Sequence, residues 1–253
     1  MYRSAYDLKS FYNSFGGRIT RRIIQKHIRN IWPNLEHQRL LGYGYAVPYI
    51  HSYVDEAERV FAVMPAEQGV HHWPQDGSNM TCVCHDSELA IETNSVDRIL
   101  LVHSLEFSTS LESLFQELWR VLKSNGRVLI IVPNRLGLWA RATWSPYGHG
   151  TPYSISQVET FLRNNMFVHE RTFCALYVPP FKNNLFLKSA DFFENIGRFC
   201  MPGMGGVHFF EASKQLYAGI GASEKRAQKK RPITAIPQPT SREILLAEQL
   251  YHK

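Results

Sequence analysis

Apolar and polar positions along the chain change period several times, and each change marks an element. Ile19, Ile23, Ile24, Ile28 and Ile31 recur at helical spacing among Arg18, Arg21, Arg22, Lys26 and Arg29, which predicts an amphipathic helix near the start. Leu40 and Leu41 then open a short strand before a Gly-Tyr-rich turn, and YIHSYVDEAE predicts a helix after it. RVFAVMP and NMTCVC read as a second and third strand. RILLV (98–102) is a fourth, with the unbroken apolar character of a strand covered on both faces.

Leu111, Leu114, Phe115, Leu118 and Leu122 make one face of a helix, for which Thr109 and Glu112 have capping-box spacing. Ser124-Asn125-Gly126 is expected to turn the chain into a fifth strand, RVLIIVPN. SISQVETFLRNNMF predicts a helix with a Ser-x-x-Gln start, VHERTFCALYVPPF a strand, and ADFFENIGRFC a helix. VHFFEASKQLYA is placed as the last strand. Such alternation predicts parallel strands joined by right-handed crossovers, hence an α/β, doubly wound, mostly parallel sheet in a single domain. Ligands of such sheets bind beyond the carboxyl ends of the strands.

Composition narrows the class. The chain has 253 residues, 44% of them hydrophobic, enough for one ordinary core. No apolar run has the length of a signal peptide or a bilayer span, so the expected location is cytoplasmic. The four cysteines, Cys82, Cys84, Cys174 and Cys200, lack the spacing of a secreted disulfide framework and read as reduced thiols. Of the formal charge of +6, residues 222–253 hold seven Lys and Arg against three acids, leaving +2 for the rest, so nucleic-acid binding is not required. The sequence thus divides into an N-terminal helical extension (1–37), a folded domain (38–221) and a basic, proline-containing tail (222–253) expected to be flexible.

Two segments carry a family resemblance. HDSELAIETNSVDRILLVHSLEF (85–107) and LFQELWRVLKSNGRVLIIVPN (114–134) resemble segments of the class I S-adenosylmethionine-dependent methyltransferases, with the Arg-Val-Leu-Lys, the turn glycine and the Pro-Asn strand end in register. The likeness runs from about residue 38 to 134. It implies a Rossmann-like sheet with an antiparallel seventh strand, S-adenosylmethionine as cofactor and methyl transfer to an acceptor. The family's first strand ends in an acid before a glycine-rich turn that approaches the methionine part of the cofactor. Here two registers compete. In one, Gly42 replaces the acid and Gly44, Ala46 and Pro48 form the turn; in the other Gly42, Gly44 and Ala46 form it and Leu40 stands at the acid.

The ribose acid after the second strand is also missing, since that point offers Met64, Pro65 and Ala66, with Glu67 late. Asp86, beside Ser87, matches the acid that receives the adenine amino group. His103 follows the fourth strand and is a further ligand candidate, whereas Asp97 reads as structural. His149, between glycines, is the candidate general base in a Gly/Pro-punctuated loop (133–154) that either forms a substrate surface or covers the sheet edge. A bulky substitution at Gly44 is expected to abolish cofactor binding while leaving the fold largely intact. Cys82, Cys84, His85 and Asp86 are metal-ligand types without paired knuckles, so no metal site is assigned. His71-His72-Trp73 reads as a surface loop. The function expected is methyl transfer to an unspecified acceptor. The alternative is an inactive methyltransferase-fold module that binds a protein partner. A nicotinamide-binding Rossmann reading lacks the full glycine fingerprint.

Overall fold

The computed structural model describes residues 4–180, 190–201 and 203–215. Seven strands form one sheet in the order β3-β2-β1-β4-β5-β7-β6. They are β1 (Arg39–Gly44), β2 (Arg59–Pro65), β3 (Thr81–Cys84), β4 (Val96–Val102), β5 (Leu122–Pro133), β6 (Phe167–Ala175) and β7 (Val207–Lys214). β1 to β5 pair in parallel. β7 runs antiparallel between β5 and β6, although it comes last in the chain.

The unbroken apolar runs are explained by two cores that share each strand. Leu40, Leu100, Val102, Leu129 and Ile131 point to one face. Leu41, Ile99, Leu101, Val128 and Ile130 point to the other. This period of two inside continuous hydrophobic sequence is what double coverage demands. On the first face lie α1 (Ala5–Asn13) and α2 (Phe15–Ile31), which contribute Leu8, Phe11, Ile24 and Ile28. On the second lie α4 (Leu111–Val121) and α5 (Ile155–Asn164), through Leu114, Phe115, Leu118, Val158 and Leu162. α3 (Val47–Ile50) follows the glycine turn, and α6 (Ala190–Cys200) precedes β7.

The predicted architecture is present, with local differences that have causes. α1 lies within the predicted helical extension, where the sequence predicts only the helix over residues 19–31 as an element, and it belongs to the same compact unit as the sheet. The helix after β1 is a single turn that passes into a 3-10 turn (His51–Tyr53). α4 starts from Ser110 rather than Thr109, and the Ser110 hydroxyl donates to Ser113 Oγ at 2.9 Å and accepts from no backbone N–H of the first turn. β5 begins at Leu122 rather than after Gly126, since Leu122 pairs with Val96 before the register shifts to Arg127 opposite Arg98. At α5 the capping box is formed by Ser154 and Gln157 as the spacing predicts. The expected flexible tail lies outside the described residues.

One buried carboxylate fastens the helical layer to the sheet. Glu211 of β7 is 1% exposed and accepts from Trp32 Nε1 at 3.0 Å and from Arg171 Nε at 2.6 Å, with Arg127 at 3.4 Å. A carboxylate so enclosed is stable only because all three donors reach it.

Candidate functional site

The parallel strands deliver their carboxyl ends to one edge, where a cavity of about 190 Å³ opens. Gln68 follows β2, Asp86 and Ser87 follow β3, and Ser104 and Ser108 follow β4, all lining it. Asp86 is held from two sides: the Tyr43 hydroxyl donates to Oδ1, and the Ser108 hydroxyl donates to Oδ2 at 2.6 Å. Tyr43 is itself buried in β1, and burial pushes its hydroxyl well above the usual tyrosine range, so it remains the donor. Each carboxylate oxygen keeps a lone pair for another donor.

Two further polar atoms at this cavity lack partners. Gln68 is 5% exposed; its Nε2 donates to the His103 carbonyl at 2.6 Å, leaving Oε1 buried and unpaired. The Ser104 hydroxyl is buried and unpaired as well. Unpartnered buried groups each cost about 1–3 kcal/mol, which a bound polar ligand removes by supplying donors or acceptors. A carboxylate, an amide oxygen and a hydroxyl around one cavity are the groups that hold a nucleoside through its amino and hydroxyl groups, so the residues fit that part of S-adenosylmethionine.

The side of the site toward β1 is filled by protein. His103 is 1% exposed, with a positive φ of 51°. Its Nδ1 lies 3.1 Å from Glu106 Oε1 and its Nε2 lies 2.8 Å from the Tyr12 hydroxyl. A carboxylate only accepts, so His103 donates from Nδ1 and receives the Tyr12 proton at Nε2. Tyr49 and Tyr147 then donate to the Tyr12 oxygen, both at 2.9 Å. Burial pushes the Tyr12 and Tyr147 hydroxyls far up and that of Tyr49 up to about 12, so all three are neutral. The Tyr12 ring also stacks on Tyr45, at 5.8 Å and 16°.

The glycine turn is shaped by the fold before any ligand. β1 continues to Gly44, so Gly42 lies within the strand opposite Leu100. A Cβ on Gly42 would stand 2.8 Å from Ile50 Cδ1, and one on Gly44 would stand 2.4 Å from the Val102 carbonyl oxygen. Gly44 also has φ +76°. The expectation that a bulky residue at Gly44 would leave the fold intact is therefore corrected: the side chain would strike the β4 backbone. Ala46 is fully buried and serves as the cap residue of α3.

Of the residues singled out from sequence, Glu67, Asp86 and Ser87 line the cavity and His103 does not. His149 does not line it; its Nε2 lies 2.7 Å from the Thr143 carbonyl, to which it donates. Asp97 accepts from the Arg39 backbone at 3.0 Å and from Lys123 at 2.8 Å, a structural duty. The 133–154 loop buries Trp139, Tyr147 and Tyr153 against the body. His71 and Trp73 are buried rather than on the surface, and Cys82 is exposed while Cys84 is buried. Among the described residues no group of three or more His, Cys, Asp or Glu side chains is arranged to hold a metal ion. Nor, among them, is any helix long and apolar enough to cross a membrane.

Sequence reasoning placed Ser104 after the fourth strand at the ligand-facing edge but missed Gln68, Ser108 and Tyr12. Of these Gln68 had a signal, as the residue next to Glu67 just after the empty ribose position.

Comparison with known proteins agrees with this fold. Residues 41–130 match the model of a methyltransferase domain. The fold is similar to that of a Thermotoga maritima S-adenosylmethionine-dependent methyltransferase described as a possible histamine N-methyltransferase. That match has TM-score 0.58 and 15% identity, over 84% of this chain and 97% of that one. It is equally similar to a putative Haloferax volcanii methyltransferase structure in complex with the Trm112 activator, at TM-score 0.58 and 13% identity, over 83% and 99%. A Haemonchus contortus phosphoethanolamine N-methyltransferase in complex with S-adenosyl-L-methionine aligns at TM-score 0.53 and 17% identity, over 84% of this chain and 57% of that one. Among proteins of curated function, no sequence matches the chain. The matched domain, the strand order and the seventh antiparallel strand together show that this chain has the Rossmann-like fold of these S-adenosylmethionine-dependent methyltransferases, with a methyltransferase-domain match over residues 41–130.

Proposed function

We propose that the protein is an S-adenosylmethionine-dependent methyltransferase whose cofactor nucleoside occupies the cavity beyond β2, β3 and β4. The observation that carries this reading is the convergence of Asp86, Gln68 and Ser104 on one cavity at the carboxyl edge of a class I sheet. When bound, the cofactor supplies an electrophilic methyl group on a sulfonium. Asp86 accepts from the adenine amino group, with Tyr43 and Ser108 fixing the carboxylate in place. Gln68 Oε1 accepts from a ribose hydroxyl in place of the family's acid. A neutral acceptor contributes about 0.5–1.5 kcal/mol where a charged one contributes about 1.5–3, so cofactor affinity is about tenfold lower than with an acid at that point.

The methionyl part then extends toward Gly44 and His103, into the space that Tyr12 fills. Binding therefore displaces the end of α1, and the apparent affinity is reduced by the fraction of molecules in which α1 has withdrawn. Catalysis by this chain rests on positioning and on excluding water, which methyl transfer to many acceptors needs more than a dedicated base. Free thiols at all four cysteines accord with a reducing, cytoplasmic setting.

The test is calorimetric titration of the full chain with S-adenosylhomocysteine. The expected result is micromolar or weaker binding, lost by tenfold or more in Asp86→Ala. No binding to folded wild-type protein at millimolar ligand would overturn the assignment and favour the partner-binding module.

A further inference from the structure

A second cavity, of about 480 Å³, shares no lining residue with the first. It lies between α1, α2, the start of α3 and the 71–76 loop, and its lining is unbalanced in charge. Lys9 and Arg21 both reach it, and the only acid there is Asp76. Neither cation has an ion-pair partner among the described residues. Unpaired cations on a partly enclosed wall focus a positive potential that an anion neutralises. The remaining wall is largely aromatic, with Tyr45 and Trp73 both nearly buried and the His51 ring edge-on to Trp73 at 6.0 Å.

At this cavity His71 carries an unused acceptor. It is 7% exposed, and its Nδ1 lies 3.0 Å from the His72 carbonyl oxygen. A carbonyl only accepts, so the proton sits on Nδ1, and Nε2 is left buried with a lone pair and no partner. A simple oxyanion satisfies the cations and leaves the aromatic wall uncovered. A ligand with an anionic group, a flat apolar body and a hydroxyl satisfies all three parts of the wall.

We propose that this cavity binds a small aromatic hydroxy acid, its carboxylate against Lys9 and Arg21, its ring between Tyr45 and Trp73, and its hydroxyl donating to Nε2 of His71. The site is formed with α1 in place, so it is tested on protein without added cofactor. It is tested by ligand-observed NMR titration of the full chain with 4-hydroxybenzoate, benzoate and phenol. In wild-type protein 4-hydroxybenzoate binds at least tenfold tighter than either of the others. The double variant Lys9→Gln, Arg21→Gln, altered only at side chains that meet solvent, reduces 4-hydroxybenzoate to the affinity of phenol. His71→Phe reduces it to that of benzoate, with the melting temperature recorded to confirm folding. Equal binding of benzoate and 4-hydroxybenzoate by the wild type overturns the role of His71, and unchanged affinity in the Lys9/Arg21 variant overturns the site.

Discussion

The Tyr12 hydroxyl lies 2.8 Å from Nε2 of His103, a bond that joins the first helix to the end of the fourth strand across 91 positions of sequence. Tyr12→Phe removes this bond and the acceptor for Tyr49 and Tyr147, leaving His103 Nε2 unpaired and the two tyrosine hydroxyls only their 3.5 Å contact with each other. We expect a loss of about 1–3 kcal/mol in urea unfolding. Because the same bonds hold α1 over the methionyl space, the variant should bind S-adenosylhomocysteine more tightly than wild type. Unchanged or weaker binding would show that α1 does not gate the site.

Two aspartates at the ends of the sheet separate binding from stability. Asp86→Ala should weaken cofactor binding by tenfold or more, with only a modest fall in melting temperature. Asp97→Ala releases the Arg39 backbone amide and Lys123, so it should lower stability by about 1–2 kcal/mol and leave the binding constant of the folded fraction unchanged. Parallel calorimetry and thermal melts on both variants decide it.

Gly44→Ala combines a left-handed backbone with a contact of 2.4 Å from the new Cβ to the Val102 carbonyl oxygen. The two costs together are about 2–5 kcal/mol, and chemical denaturation should read them directly. Soluble, wild-type-stable Gly44→Ala protein would mean that β1 and β4 separate more easily than their pairing implies.

His208 supplies a pH signature. It is buried on β7 beside Cys174, and burial lowers its pKa from 6.5 to about 4. Between those values the unfolded chain takes up a proton that the folded chain refuses, so stability falls as pH drops from about 6.5 to 4, by about 3 kcal/mol for this group. Above pH 6.5 the histidine is neutral in both states and contributes no slope. Unfolding free energies of wild type and His208→Asn across this range should differ in slope.

The strands of the parallel half were legible because burial on both faces forces runs such as Arg59–Pro65 and Val96–Val102 to be continuously apolar. Asp86 was legible because one position after a strand identifies it. α1 was not, since Ala5, Leu8, Phe11 and Tyr12 are few among polar neighbours and span only nine residues. Gln68 and Ser108 matter because the segments after β2 and β4 converge on one cavity with Asp86 after β3, and no local pattern records that meeting. His149 looked accessible between glycines, yet the loop that carries it folds back onto Thr143.

The placement of β7 between β5 and β6 orders events during synthesis. Until residues Val207–Lys214 have left the ribosome, β6 has no neighbour in the sheet and β5 has an open edge. Trp32 must also wait, because Glu211, its partner, is 179 positions away. The N-terminal helices thus wait for β7 before they meet their final anchor, and a chain halted after β6 leaves β5 with an open edge and β6 wholly unpaired, the surface that chaperones recognise and aggregates are seeded from.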